Sequence, residues 1–376
     1  MPTMLPIVKP GAVSLADVLP DSVAALGGRR GRLGLPSARS VVVVVIDGLG
    51  AHALAARSGH ARTLVAARAR NIDSVVPSTT AAALTTILTG AWPGTHGLVG
   101  YRTIDRDNDR VVNQLSGWDG LMVPETWQRS TTVFERIGNG PIAAVAVGPA
   151  KFAGSGLTRA ILRGAPYVEE DDVAARFAIA AERARTERTL TYVYVPELDK
   201  VGHRDGVESS AWTAALEGLD SAVAVLDAAV PRRTGILITA DHGMLDVPHD
   251  SHVLLSQHVD VMAGVRHVAG EPRFLHLGLE EPAAAVAVAA TWSERFGDSS
   301  WVATRDEAID AGWFGTDVSA ESRDRMGDVL IAPRRLIAFY DDRHGDVPGR
   351  RMVGQHGSVT PEERSVPVIR LGAWRQ

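Results

Sequence analysis

The fold is decided by Ser40-Val41-Val42-Val43-Val44-Val45-Ile46-Asp47-Gly48. Val41–Ile46 is a run of β-branched residues with no polar alternation. That is the pattern of a strand covered on both faces, as in a parallel sheet sandwiched by helices. Similar runs lie at Ile142–Val147, Leu190–Val195, Gly235–Thr239 and Val366–Leu371. Helical stretches are expected between them at Thr80–Thr89, Glu125–Ile137, Asp171–Arg185 and Glu208–Ala229. Strands alternating with helices imply an α/β fold with a doubly wound, mostly parallel sheet. Ligands of such folds gather beyond the carboxyl ends of the strands.

Polar groups follow those ends consistently. Asp47 follows the first run, and Ser78-Thr79-Thr80 follows an expected strand at Ile72–Val76 and opens a helix. Glu197, Asp199 and His203 follow Leu190–Val195, and Asp241-His242-Gly243 follows Gly235–Thr239. Between residues 245 and 350 the pattern changes. Strands at Arg273–Leu279, Ser300–Thr304, Asp328–Ala332 and Leu336–Tyr340, with helices at Glu281–Phe296 and Arg305–Ala311, describe a small inserted α+β cap. The expected organisation is an irregular lead-in over 1–38, a catalytic α/β domain over 39–244 and 351–376, and the cap over 245–350.

The chain has 376 residues, 45% of them apolar and 22% charged, which is ordinary for a globular protein. It has no cysteine, which excludes disulfides, thiolate zinc sites, iron–sulfur clusters and a cysteine nucleophile. A net charge of −5 offers no broad basic field for a nucleic-acid polymer or an anionic membrane. The start lacks the plan of a signal peptide, and the longest apolar runs, Val41–Ile46 and Ala283–Ala290, fall far short of the roughly 20 residues that span a bilayer. The expectation is a soluble, cytoplasmic protein; the sequence assigns no oligomeric state.

Asp199 and His203, four residues apart, can face one ion from a single helical turn. Asp241-His242 ends a buried strand, and His356 is flanked by Gly354 and Gly357. With Asp47 the set holds three carboxylates and three imidazoles, enough for two metals. All-oxygen and nitrogen ligation suits Zn²⁺ first, with Mn²⁺ or Fe²⁺ as alternatives. A threonine at the start of Thr80–Thr89 sits where a helix N-terminus favours an anion. Taken singly, each element has an ordinary reading: Asp47 as a turn, Thr80 as an N-cap, Asp199 and His203 as a solvated helix face. Their appearance in order at successive strand ends argues against that. His96 is set outside the metal set as a loop neighbour, and His249, His252 and His258 are read mainly as a solvated loop.

Together, Asp47-Gly48, Pro77-Ser78-Thr79-Thr80 leading to Thr89-Gly90-x-x-Pro93-x-x-His96-Gly97, Asp199-x-x-x-His203, Ala240-Asp241-His242-Gly243 and Gly354-x-His356-Gly357-Ser358 resemble the type I phosphodiesterase/nucleotide pyrophosphatase family of the alkaline phosphatase superfamily. The resemblance implies one zinc held by Asp199, His203 and His356. It implies a second held by Asp47, Thr80, Asp241 and His242. Thr80 takes the family's nucleophile position, with Thr79 one residue away as the rival. The implied activity is two-metal cleavage of phosphodiester or phosphoanhydride bonds through a phospho-threonine. The implied partner is a small phosphate ester, including nucleotides. Two departures stand out. Ala81-Ala82-Ala83 replaces the family's Phe-Pro-Asn, and Tyr101 occupies the place of its phosphate-binding Asn, with Arg102 and Asn113 as other nearby donors. Tyr101, Asn113 and Trp118 are the candidate substrate-binding residues. A phosphonate or phosphomonoester hydrolase on the same core, or a non-catalytic metal- or nucleotide-binding protein, are the alternative readings. The segment after Thr80 lacks the residues a sulfatase needs.

Overall fold

The computed structural model describes residues 4–9, 11–138, 140–343, 345 and 347–375. Its centre is a seven-stranded sheet: β1 (Ser40–Ile46), β2 (Arg68–Asp73), β3 (Ala143–Gly148), β4 (Tyr167–Glu169), β5 (Thr189–Val195), β6 (Thr234–Thr239) and β7 (Ser365–Gly372). The spatial order is β2-β7-β6-β1-β5-β3-β4. Strands β6, β1, β5, β3 and β4 run parallel, and β7 is antiparallel to both its neighbours. Every residue of β1 is buried, as expected of an unalternating β-branched strand at the middle of a covered sheet. Each of its valines removes enough apolar surface from water to contribute up to about 2 kcal/mol.

A second, wholly antiparallel sheet orders Val265–Glu271, Phe274–Leu279, Val329–Pro333 and Ser300–Thr304. The helix Ala285–Phe296 covers one face through the buried Trp292. The sheet is tied to the segment that carries His356 by a fully buried ion pair. Arg273 Nε and Nη2 donate to the two carboxylate oxygens of Glu363 at 2.7 and 2.8 Å.

Several expectations need correction. The stretch 1–38 is not an irregular lead-in. Within it, Ser14 and Asp17 form a capping box, Val18–Leu26 is an α-helix, and Leu15, Val18, Leu19, Leu26, Leu33 and Leu35 join the main core; residues 1–3 and 10 lie outside the described residues. The strand expected at Ile72–Val76 is Arg68–Asp73, an edge strand with only Ile72 buried. Its charged positions hid it from a search for apolar runs, as edge strands generally do. The helix expected over Glu125–Ile137 is two, Pro124–Trp127 and Val133–Ile137. Thr132 starts the second with its own capping box, accepting from Glu135 N at 3.0 Å while Glu135 accepts from Thr132 N at 2.8 Å. A hairpin, Arg102–Asp105 with Arg110–Asn113, and the strand Val265–Glu271 had no counterpart in the sequence reading. Among the described residues, no helix is long and apolar enough to cross a membrane.

Candidate active site

Three adjacent strands deliver three carboxylates to one edge. The registers pair Ile46 with Val195 and Val45 with Thr239, so Asp47 leaves β1 level with the ends of β5 and β6. Asp199 and Asp241 stand on either side of it. Gly48, at φ +74°, makes the close turn possible: a Cβ there would lie 3.2 Å from Cα and Cβ of Asp199. Its amide donates to Asp241 Oδ1 at 3.2 Å, as does the His242 amide at 2.9 Å. Tyr194, on β5, donates its hydroxyl to Asp47 Oδ2. Asp47 Oδ1, Asp199 Oδ1 and Asp241 Oδ2 are buried and left without a donor. Burial and mutual repulsion push Asp47 well above the ordinary carboxyl range, and burial raises Asp199 and Asp241 to about 7. Buried carboxylates facing one another ionise together only with a cation between them.

The imidazoles are oriented to meet that need. Nδ1 of His203 donates to the Gly354 carbonyl at 2.8 Å, Nδ1 of His242 to Gly243 at 3.1 Å, and Nδ1 of His356 to Ser78 at 2.9 Å. A carbonyl only accepts, so each ring carries a proton on Nδ1 and turns Nε2 to the cluster, the orientation of a metal-ligating histidine. Burial lowers His242 to about 4 and His356 well below the ordinary value, which keeps both neutral. The rings of His242 and His356 stack with centroids 3.6 Å apart.

Spacing completes the fit. Around His242 Nε2 lie Thr80 Oγ1 at 3.2 Å, Asp47 Oδ1 at 3.3 Å and Asp241 Oδ2 at 3.4 Å. Asp199 Oδ1 lies 3.4 Å from His203 Nε2. Ligands at the corners of a tetrahedron with bonds of about 2.0–2.1 Å stand about 3.3–3.4 Å apart. Two donor groups result, Asp199–His203–His356 and Asp47–Asp199–His242, each with its atoms within 4.8 Å of one another. Asp199 is common to both, a sharing that motif spacing did not indicate.

Thr80 is the first residue of the buried helix Thr80–Thr89, and Thr79 is its extended N-cap. The Thr80 hydroxyl enters the donor cluster, whereas Thr79 hydrogen-bonds to Glu271. The two threonines therefore face different partners. Ala81, Ala82 and Ala83 are fully buried in the main core, where the small side chain fits the packing of the helix.

The cluster opens into a cavity of about 1330 Å³. Tyr101 and Trp118 line it, and Asn113 does not. Asn113 Oδ1 instead accepts from the amides of Leu115 and Ser116 at 2.8 and 3.2 Å, holding the turn after the hairpin. Its place near the motif in sequence suggested a ligand; its short side chain serves the backbone instead. Arg102 lines the cavity with its Nε donating to Gly270 O at 3.2 Å. Two of the chain's three lysines, Lys151 and Lys200, also line it and touch each other. Burial and the neighbouring Lys151 charge hold Lys200 below its ordinary value. The two lysines thus place positive charge on the cavity wall beside the carboxylates of the cluster. Glu271, also missed, reaches in from the second sheet with Oε1 buried and unpartnered, and burial pushes it up to about 8. Lysine scarcity was the available signal for the first pair. Glu271, in Gly270-Glu271-Pro272, had none that separated it from a turn.

Outside the cluster, His96 accepts from Leu98 N at 3.1 Å and bonds to Thr86 Oγ1 at 3.0 Å, which is a structural role. The rings of His249 and His252 pack at a tilt, as do those of His252 and Tyr340, and His258 meets Phe296 edge to face. None of them joins a metal-sized donor group among the described residues.

The sequence model of type I phosphodiesterase/nucleotide pyrophosphatase matches residues 41–359. Among solved structures, murine ectonucleotide pyrophosphatase/phosphodiesterase 5 is 16% identical with a TM-score of 0.67, over 88% of this chain and 87% of that one. A related structure of that protein is an inactive form in complex with AMP. Phosphonoacetate hydrolase from Sinorhizobium meliloti 1021, in complex with phosphonoformate, is 19% identical with a TM-score of 0.69, over 91% of each chain. At these identities the likeness is one of fold. A comparison with curated protein sequences found no match.

Proposed function

We propose a reaction from one premise: the chain belongs to the type I phosphodiesterase/nucleotide pyrophosphatase family. It is a hydrolase of phosphate esters, and the finer reading is two-metal cleavage of a phosphodiester or phosphoanhydride through a phospho-threonine. Asp199, His203 and His356 would hold one divalent ion, and Asp47, Asp241, His242 and Thr80 the other. Zinc is the first choice, with Mn²⁺ or Fe²⁺ as alternatives. Bound there, the ions would supply Lewis-acid charge to the attacking and leaving oxygens of an in-line displacement.

The chain's own groups do the rest. Thr80 Oγ1 attacks phosphorus and releases its proton to solvent, the bond to the ester or anhydride oxygen breaks, that oxygen takes up a proton as it leaves, and the phosphoryl group stays on Thr80. Water then attacks the same phosphorus, the bond to Oγ1 breaks, and the threonine regains its proton. The start of the Thr80–Thr89 helix presents unpaired amides and a positive dipole end to the phosphoryl oxygens. Tyr101, Arg102, Lys151 and Lys200 surround a small anionic substrate in the cavity.

One observation carries this reading. Thr80 Oγ1, Asp47 Oδ1 and Asp241 Oδ2 all lie 3.2–3.4 Å from His242 Nε2. The test is metal content together with hydrolysis of bis-nitrophenyl phosphate and nitrophenyl phosphate. Bound divalent metal and faster diester turnover support the reading. A monoester preference would redirect it to a phosphomonoesterase, and metal without turnover to a binding protein.

A further inference from the structure

We propose that the organic group of the substrate is an extended hydrocarbon, alkyl or prenyl, seated in an apolar chamber that continues the metal-side cavity. The inference rests on the phosphodiesterase reading and names the substrate class for that site. The helix that begins with Thr80 supplies the first argument. Thr80 and Leu84, four residues apart on one helix face, line the cavity, so the stripe that starts with the hydroxyl continues as leucine, with Leu88 closed in the core behind it. Four residues of helix carry that stripe about 6 Å away from the reacting oxygen.

A second helix, Gly156–Ile161, packs against the first and adds Leu157 and Ile161. Trp118 closes the chamber from the loop after the hairpin. Its ring lies so close to Gly156 that a Cβ there would fall 2.1 Å from Cγ of the indole. The cavity, at about 1330 Å³, exceeds the roughly 300–1000 Å³ usual for small-molecule sites, and most of its lining is hydrocarbon. A large apolar chamber continuous with a catalytic centre is costly to leave in water and marks a binding surface.

Three polar side chains of this wall are already paired. Trp118 Nε1 donates to Gln114 O at 2.9 Å, the Tyr167 hydroxyl to Pro149 O at 2.9 Å, and Ser155 Oγ to Thr158 Oγ1 at 3.0 Å. A nucleobase brings several donors and acceptors on its edge, and burying them without partners costs affinity. A hydrocarbon chain brings none. Lys151 lies beside Phe152 on the chamber side and touches Lys200, which adjoins Asp199. The cationic pair therefore stands between the metal-ligand cluster and the apolar wall, where a substrate changes from anionic head to apolar tail.

The test uses the metal-loaded full chain and nitrophenyl phosphodiesters that share one leaving group. The second ester is methyl, hexyl or thymidine 5′-. A fully buried methylene is worth roughly fourfold. We expect kcat/KM for hexyl to exceed methyl by at least about tenfold, and thymidine to fall below hexyl. A flat methyl-to-hexyl series, or thymidine as the best substrate, overturns the inference. If none of the diesters is cleaved, the phosphodiesterase reading itself fails, a separate outcome. Leu115, on the loop before Trp118, lines the wall half-buried as Leu157 does. Leu115→Asp and Leu157→Asp alter these positions on separate elements, so one serves if the other does not fold. Each is expected to bring the hexyl-to-methyl ratio towards one, and an unchanged ratio in the folded variants also overturns the chamber's role.

Discussion

The Oγ1 of Thr80 stands 3.2 Å from the Nε2 of His242, although 162 residues separate them in the chain. That spacing makes the threonine hydroxyl one corner of a metal-sized donor set and not a simple helix cap. Thr80→Ala is expected to lower diester turnover by about 10³-fold or more, as loss of a nucleophile does. Bound metal, measured by elemental analysis, should fall little, because the aspartates and histidines remain. Turnover close to wild type would remove Thr80 from the reaction.

Tyr194 bonds to Asp47 Oδ2 and so leaves Oδ1 directed at the cluster. Tyr194→Phe should weaken metal affinity by roughly tenfold or more, the usual cost of losing an outer partner of a ligand. A chelator competition reads this directly. In the same experiment, removing metal from the wild-type protein should lower its melting temperature, because an ion that binds only the folded state stabilises it by mass action. Melting that is insensitive to chelator would contradict metal binding by this donor set.

Glu271 has its carboxyl raised to about 8 by burial, against an ordinary value of 4.5. The folded state therefore holds a proton that the unfolded state has released. Stability from this group is full below about pH 4.5 and is lost as pH rises through about 8. Glu271→Gln should gain on wild type across that window, by at most about 5 kcal/mol. Urea unfolding of both proteins at several pH values measures the gap. A gap that does not change with pH would show that this carboxyl does not titrate as its burial demands.

Arg273 and Glu363 are both fully buried, and Glu363 also accepts from Ser358 N at 3.0 Å. Arg273→Ala strands a buried carboxylate and should cost about 3–5 kcal/mol. Replacing both members with apolar residues should cost less than the sum of the single changes. Denaturant unfolding of the four proteins in the cycle gives the coupling. Additive losses would mean that the pair does not hold the second sheet to the His356 segment.

The central sheet was legible because β1, β3, β5 and β6 are apolar runs that need no partner to be recognised. Asp47, Asp199 and Asp241 were legible for a related reason: each stands at or just beyond the end of such a run, where parallel folds gather ligands. Edge strand β2, the hairpin at Arg102–Asp105 and the helix Val18–Leu26 were not, because their apolar faces are narrow and complete only against other elements. Asn113 shows the reverse error, a plausible donor nearby in sequence that the local turn consumes.

Taken alone, the sequence determined the sheet order's parallel character, the family motifs and the residue types able to bind metal, since these follow from local periodicity and from chemistry at strand ends. Only the tertiary structure decided which atoms meet. It turned Thr80 and not Thr79 towards His242, placed Asp199 within both donor groups, brought Glu271 from the second sheet to the cavity, and put Lys151 against Lys200. Those contacts join residues far apart in the chain, and their geometry is set by how packed layers converge on one rim, which no local pattern contains.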